Sequence, residues 1–165
     1  MRSAVLTGVV IGMILLAGCT PASGSGRVSM QLATDVQRRD QLASLEVEIA
    51  TAGIHTAGHP ITAAWINWQA KPERVDLMSL GPNETLDLGS GEVPAGNYDR
   101  VRIVVEAGHA VSADGKPTPL TLNVEPIALP VVLKNGQHIE VVIELIAIAR
   151  PDGSYHLFTK SATMR

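Results

Sequence analysis

One cysteine stands in a chain of 165 residues, so it has no partner thiol within the sequence. Aromatic side chains make up 3% of the chain (one Phe, two Tyr, two Trp), too few for a broad platform on which sugars stack. A basic surplus is missing too: the formal net charge is -3, which offers no field to draw in nucleic acid or anionic lipid. There is no Gly-x-Ser-x-Gly elbow and no glycine-rich loop between a strand and a helix, so neither a catalytic nucleophile nor a cofactor is expected. Past residue 18 no apolar run is long enough to span a bilayer, and the longest, 141–149, contains Glu144. No internal repeat is present, and no apolar stripe with a 3.6-residue period, which excludes a helical domain. What is there is a globular composition, 45% hydrophobic and 18% charged, enough for a real core. Its 15 glycines and 10 prolines are spread along the chain, the punctuation of many short strands and turns.

The first residues read differently from the rest. Arg2 supplies a positive start, 4–16 is apolar apart from Thr7, Gly8 and Gly12, and Leu16-Ala17-Gly18-Cys19 follows. That tetrapeptide resembles the lipobox of bacterial lipoproteins. There, small residues fit the backbone into a peptidase groove, and the thiol takes a diacylglyceryl thioether. Cleavage falls just before the cysteine, whose new amino group is then acylated. The resemblance implies a signal peptide over 1–18, lipid attachment with palmitate-type chains at Cys19, and a membrane as partner through that anchor. It also accounts for the lone thiol. At about 0.8 kcal/mol per buried methylene, two or three chains make a stable tether where one is marginal. Thr20 rather than Asp after the cysteine resembles the pattern sent to the outer membrane of cells that have one. Residues 20–26, Thr-Pro-Ala-Ser-Gly-Ser-Gly, read as a flexible linker of about 15 Å. The expected organisation is 1–18 signal peptide, 19–26 lipidated cysteine and linker, and 27–165 a single folded domain in the cell envelope, outside the cytoplasm.

From Arg27 onward the dominant period is two. Val28, Met30 and Leu32 alternate with polar or small neighbours, as do Leu45, Val47 and Ile49 with Glu46 and Glu48. The same holds for Val75 to Leu80, for Val101, Ile103 and Val105, and for Leu120, Leu122 and Val124. Ile139, Val141, Ile143 and Leu145 form one face of the longest strand, and Tyr155, Leu157 and Thr159 lie on the last. Turns separate these runs at Gly81-Pro82-Asn83, Pro94-Ala95-Gly96-Asn97, Asp114-Gly115-Lys116, Lys134-Asn135-Gly136 and Pro151-Asp152-Gly153. The reading is all-β: a single antiparallel two-sheet β-sandwich, immunoglobulin-like or transthyretin-like, of about seven to eight strands. Residues 35–43 are too short and polar for a packed helix and read as a loop. Pro126 and Pro130 place the run 127–133 at a sheet edge, since proline cannot donate to a ladder. Val142, Ile146 and Ile148 load the outer face of the longest strand with apolar side chains. A loop of the chain or a partner is expected to cover them.

Few residues suggest chemistry. His55 and His59 have the spacing of two zinc ligands on a helix, but Gly58 and Pro60 forbid a helix there, so loop histidines are expected and no metal. With Ala149 facing Ser154 across the last turn, His138 and His156 fall far apart along the ladder. Glu46 with Glu48, and Glu140 with Glu144, each share an outward strand face. Asp35, Asp76, Asp87 and Asp99 lie in loops or at strand ends, where oxygen ligands for Ca²⁺ could gather. Trp65 and Trp68, three apart on a strand, face opposite sides: one fills the core and the other is free to stack on a sugar ring. Trp65, Trp68, Asp35 and Asp76 are therefore the ligand-binding candidates. No catalytic residue is assigned.

Several segments together resemble a known family. These are Asp35 after the first strand, Ala64-Trp65, Val75-Asp76-Leu77-Met78-Ser79-Leu80, Leu86, and Val93-Pro94-Ala95-Gly96-Asn97-Tyr98-Asp99-Arg100-Val101-Arg102. They are similar to the domain of unknown function 4382, found in secreted prokaryotic lipoproteins, over about 27–157. The most specific part is Pro-Ala-Gly-x-Tyr before a strand of alternating Arg and Val. Family members often continue as Asp-Ala-Pro where this chain has Asp35-Val36-Gln37, and carry Asp-Phe-Asp where it has Glu144-Leu145-Ile146. No activity is assigned to the family, so the resemblance implies fold and location. The functional expectation is a membrane-anchored, non-catalytic module binding an envelope protein or glycan. An envelope hydrolase or metal-dependent enzyme, and a structural component of a surface assembly, are the alternatives.

Overall fold

A computed structural model describes residues 24–58 and 63–165, so the expected signal peptide over 1–18, Cys19 and His59 lie outside the described residues. Among the latter, every element except the single 3-10 turn Arg39–Gln41 is a strand. They are β1 (Ser25–Val36), β2 (Leu42–Thr56), β3 (Trp65–Gln69), β4 (Arg74–Asp76), β5 (Leu86–Pro94), β6 (Gly96–Ser112), β7 (Pro117–Thr118), β8 (Leu120–Asn123), β9 (Ile127–Leu133), β10 (His138–Ala149) and β11 (Tyr155–Met164).

Alternation produces the layers. Val28, Met30 and Leu32 of β1, Leu45, Val47 and Ile49 of β2, and Ile139, Val141, Ile143 and Leu145 of β10 are all buried. They join one core fed by both sheets. One sheet has five strands in the order β5-β1-β10-β11-β8. The other has six, β3-β2-β6-β7, with β4 also on β2 and β9 also on β6. Bulges reset the phase where simple alternation would fail. The shift between Ile49 and Thr51 brings Ala52 and Ile54, rather than Thr51, to the inner face.

Three expectations change. There are eleven strands among the described residues, not seven or eight. The alternating runs at Val75 and Leu120 are β4 and β8; the additions include the two-residue β7 and β5, whose apolar alternation is interrupted by Gly89, Ser90 and Gly91. The five-stranded sheet is mixed rather than antiparallel, because β1 runs parallel to β10 and β11 parallel to β8. Side-chain alternation looks the same in either direction, so it cannot report strand sense. Ala149 pairs with Tyr155, not Ser154, because the Arg150 amide donates to the Ser154 carbonyl at 2.8 Å and draws Ser154 into the turn.

Other expectations hold. Among the described residues the run Ile127–Leu133 pairs only with β6, as an edge strand should. Of the apolar outer-face residues of β10, Val142 is buried, 6% exposed, beside Asn83, Glu84 and Thr85, whereas Ile146 and Ile148 are half-buried.

β1 begins at Ser25, two residues ahead of Arg27. Its first residues are stitched in: Gly24 O accepts from the Ala95 amide at 2.7 Å, and Ser25 O from the Gly136 amide at 2.8 Å. One end of the domain therefore gathers Gly24, the β5–β6 turn, the β9–β10 turn and the end of β11. The opposite end gathers the 3-10 turn and the turns around Asp114 and Asp152.

Candidate functional site

The outer face of the six-stranded sheet carries the densest polar and aromatic arrangement. Register sets its rows: Trp65, His55 and Arg100 stand side by side, then Asn67, Gly53 and Arg102, then Gln69, Thr51 and Val104. The Arg102 guanidinium lies 4.1 Å from the Trp65 ring centroid, and its Nη2 donates to Asn67 Oδ1 at 3.1 Å. Gly53 makes that reach possible. A Cβ there would run into Asn67 Oδ1 and the Ile66 carbonyl, so a side chain would push Asn67 off the sheet. The Nε of Arg102 is buried without a hydrogen-bond partner.

The shift between Tyr98 and Arg100 swings Asp99 toward β2, where His55 Nδ1 donates to its Oδ1 at 2.7 Å. The His55 ring lies 5.0 Å from Trp65, tilted by 53°. Arg100 Nε is 3.7 Å from the same carboxylate oxygen. The hydrogen bond from His55, helped by the charges of His55 and Arg100, holds the Asp99 carboxyl below the ordinary carboxylate range. A lowered folded-state pKa favours folding above the unfolded value and is lost as pH falls through the folded one. Asp99→Asn is therefore expected to lower stability modestly at neutral pH, where the ionised carboxylate contributes, and to flatten the acid limb so that parent and variant converge below about pH 4. Denaturant midpoints at matched pH values test this, and identical acid limbs for parent and variant would refute it.

Further along the same face, a cleft of about 500 Å³ opens where β2 passes from its pairing with β4 to its pairing with β3. Glu48, Gln69, Glu73, Arg74 and Glu106 line it over a floor of Ile49 and Ala50. Arg74 pairs with Glu48, and Gln69 Nε2 donates to Glu73. Exposed pairs of this kind add little stability. They set the charge of the face instead, acidic in the cleft and cationic at Arg100 and Arg102.

The two tryptophans do face opposite ways. Trp68 turns inward, its ring seated over Gly91, where a Cβ would come within 2.5 Å of Cε3; it packs on the core, and its Nε1 has no partner. Trp65 turns outward, but Arg102 and His55 lie against its ring. Asp35 shares Lys160 with Glu144, at 3.2 and 2.9 Å. Asp76 accepts from the Leu45 and Met78 amides at 3.1 and 2.9 Å, shaping a turn. Asp87 does the same for the Gly89 amide. These acids sit on separate elements, and among the described residues no three His, Cys, Asp or Glu side chains converge on a metal position. His138 contacts Ser29 and His156 contacts Arg150, well apart. Sequence reasoning passed over Arg102, Asn67 and the His55–Asp99 pair. The available signal was Gly53, a lone glycine inside an apolar strand, which marks a close approach from a neighbour.

The Pro94-Ala95-Gly96-Asn97-Tyr98 segment crosses from one sheet to the other. Tyr98 is buried, and its hydroxyl donates to the Pro94 carbonyl at 2.5 Å, tying the crossover to the core. Burial pushes its phenol pKa up. The family model for the domain of unknown function 4382 matches residues 25–158. The chain belongs to this family. No curated protein and no solved structure matches it. The family match runs from the first residue of β1 into β11 and takes in the whole outer face just described. The Pro94-Ala95-Gly96-Asn97-Tyr98 segment is thus the crossover that delivers Asp99, Arg100 and Arg102 to that face. Asp35 and Glu144 are bridged by Lys160.

Proposed function

We propose that the chain is an extracytoplasmic lipoprotein of the cell envelope, anchored through Cys19, in the outer membrane where the cell has one. Its domain acts as a non-catalytic binding module with an immunoglobulin-like or transthyretin-like sandwich fold. The Tyr98–Pro94 hydrogen bond supports that fold reading, since it resembles the tyrosine corner of such sandwiches. Leu16-Ala17-Gly18-Cys19 at the end of an apolar leader supports the anchor.

The binding reading rests on the Trp65–Arg102–Asn67 array bordered by His55 and Asp99. These side chains are already held by one another, so docking a partner costs little further side-chain freedom. Arg100 and Arg102 on one face suit an acidic group such as the carboxylate or phosphate of a glycan. An acidic envelope glycan is the favoured partner. Native lipoprotein pulled from its own membrane, with mass spectrometry of what comes with it, is the test. Arg102→Ala should lower glycan recovery by about tenfold or more, the size of a lost charge-assisted hydrogen bond. Undiminished recovery would remove the site, and recovery of protein alone would replace the glycan by a protein partner. Palmitate labelling addresses the anchor: no label, and equal gel mobility for Cys19→Ser, would end the lipoprotein reading.

The hydrolase alternative has one observation in its favour, an imidazole oriented by a carboxylate at His55–Asp99. It requires that His55→Ala abolish turnover of an envelope ester or glycoside while capture persists.

A further inference from the structure

Among the described residues, the large hydrophobic side chains standing out in solvent are Val132, 65% exposed, and Met164, 48% exposed. Both lie at the end of the domain where the chain enters. Val132 pairs with Asn97 beside the β5–β6 turn, and Met164 pairs with Val141 near the start of β10. Gly24 is held at the same end by Ala95. The turns there read Pro94-Ala95-Gly96-Asn97 and Lys134-Asn135-Gly136-Gln137, and the described flanks of the β2–β3 connection are Ala57, Gly58, Ala63 and Ala64. None of these residues is acidic, and Lys134 is a cation. Glu92 of β5 also reaches this end, accepting from Ser25 Oγ, and the opposite end holds Arg38, Arg39, Lys116 and Arg150 beside Asp40, Asp114 and Asp152, so it is the exposed apolar side chains and the chain entry that set this end apart.

We infer that this end docks on the bilayer surface, with Val132 and Met164 at headgroup depth and Lys134 against lipid phosphates. This rests on the Cys19 anchor of the proposed function. From Cys19 to Gly24 the chain reaches at most about 18 Å when extended, at roughly 3.6 Å per residue. As a coil it averages about 12 Å. A strand as long as β1 covers about 40 Å, so the opposite end lies out of reach of the bilayer. Two apolar side chains and one lysine bind a membrane weakly on their own. A tether this short supplies a high effective concentration, which makes a weak contact sufficient. The consequence is an orientation: the Trp65–His55–Arg100 row, next to this end, faces the membrane side, and the acid-bearing turns point away.

The test uses the lipidated protein reconstituted in phosphatidylethanolamine–phosphatidylglycerol vesicles that carry headgroup-level nitroxide quenchers. With Cys19 acylated, Ala95→Cys or Lys116→Cys is the sole free thiol for a fluorophore. Dye at position 95 should be quenched about threefold or more over dye at position 116, the contrast expected between interfacial and solvated sites. Adding Val132→Asp with Lys134→Glu should bring that ratio to about one. Equal quenching at the two positions overturns the docking, and so does a ratio that survives the double change in a folded variant. The 95-to-116 comparison stands even if that variant fails to fold. Acylation is read by mass on the same sample. An acylated chain with equal quenching removes the docking alone, and a chain without acyl groups removes the anchor and the docking together.

Discussion

Alanine in place of Leu145 is expected to lower the unfolding free energy by about 2–5 kcal/mol. Leu145 is fully buried at the middle of β10, the central strand of the mixed sheet, with Thr34 of β1 on one side and Thr159 of β11 on the other. Its neighbours come from both sheets and cannot all close on the space left by three lost carbons, so a cavity adds to the lost transfer energy. Ile146 is the control. It points outward and is half-buried, so Ile146→Ala should cost less than half as much. Urea midpoints measured at unchanged slope give both values. Equal costs for the two variants would mean that the inner face of β10 has been misassigned.

Gly26→Ala is expected to cost about 1–3 kcal/mol, the range for overpacking a closed site. A Cβ at residue 26 would lie 2.6 Å from the Gln137 carbonyl oxygen and 2.9 Å from Leu133 Cγ and Cδ1. The carbonyl cannot swing away, because Gln137 O accepts from the Arg27 amide at 2.8 Å and so pins β1 to the β9–β10 turn. Gly96→Ala serves as the comparison. Nothing lies within 4 Å of the position its Cβ would take, so the change should stay within about 0.5 kcal/mol of neutral. A Gly26→Ala protein that melts with the parent would place residue 26 in a loose linker after all.

The glycine-serine run at 20–26 shows where local reading stops. Composition marks flexible chain, and Gly26 fits that description as well as Gly24 does. What makes Gly26 a packing residue is Leu133 and Gln137, more than a hundred positions away. Gly53 carries the opposite lesson. Its place inside an apolar run was a local hint of close approach, and the neighbour proves to be Asn67, reaching across to Arg102. Trp65 and Trp68 were separable by parity alone, since their odd spacing on a strand sends them to opposite faces. Which of the two fills the core depended on Gly91, a residue of another sheet.

Period two, turn chemistry and the absence of a helical stripe were enough to determine that the described residues are all-β, which side chains face inward in the runs without a bulge, and that 127–133 lies at an edge. Each of these depends on neighbours within a few residues. Strand direction, partner choice and the outer-face site were decided only by the tertiary structure. Val28 meets Ile139 in parallel, and Asp99 meets His55 through a bulge. Pairings of that kind join residues whose separation along the chain leaves no periodic trace. They are selected when the whole core closes and every buried backbone group has to find a partner at once.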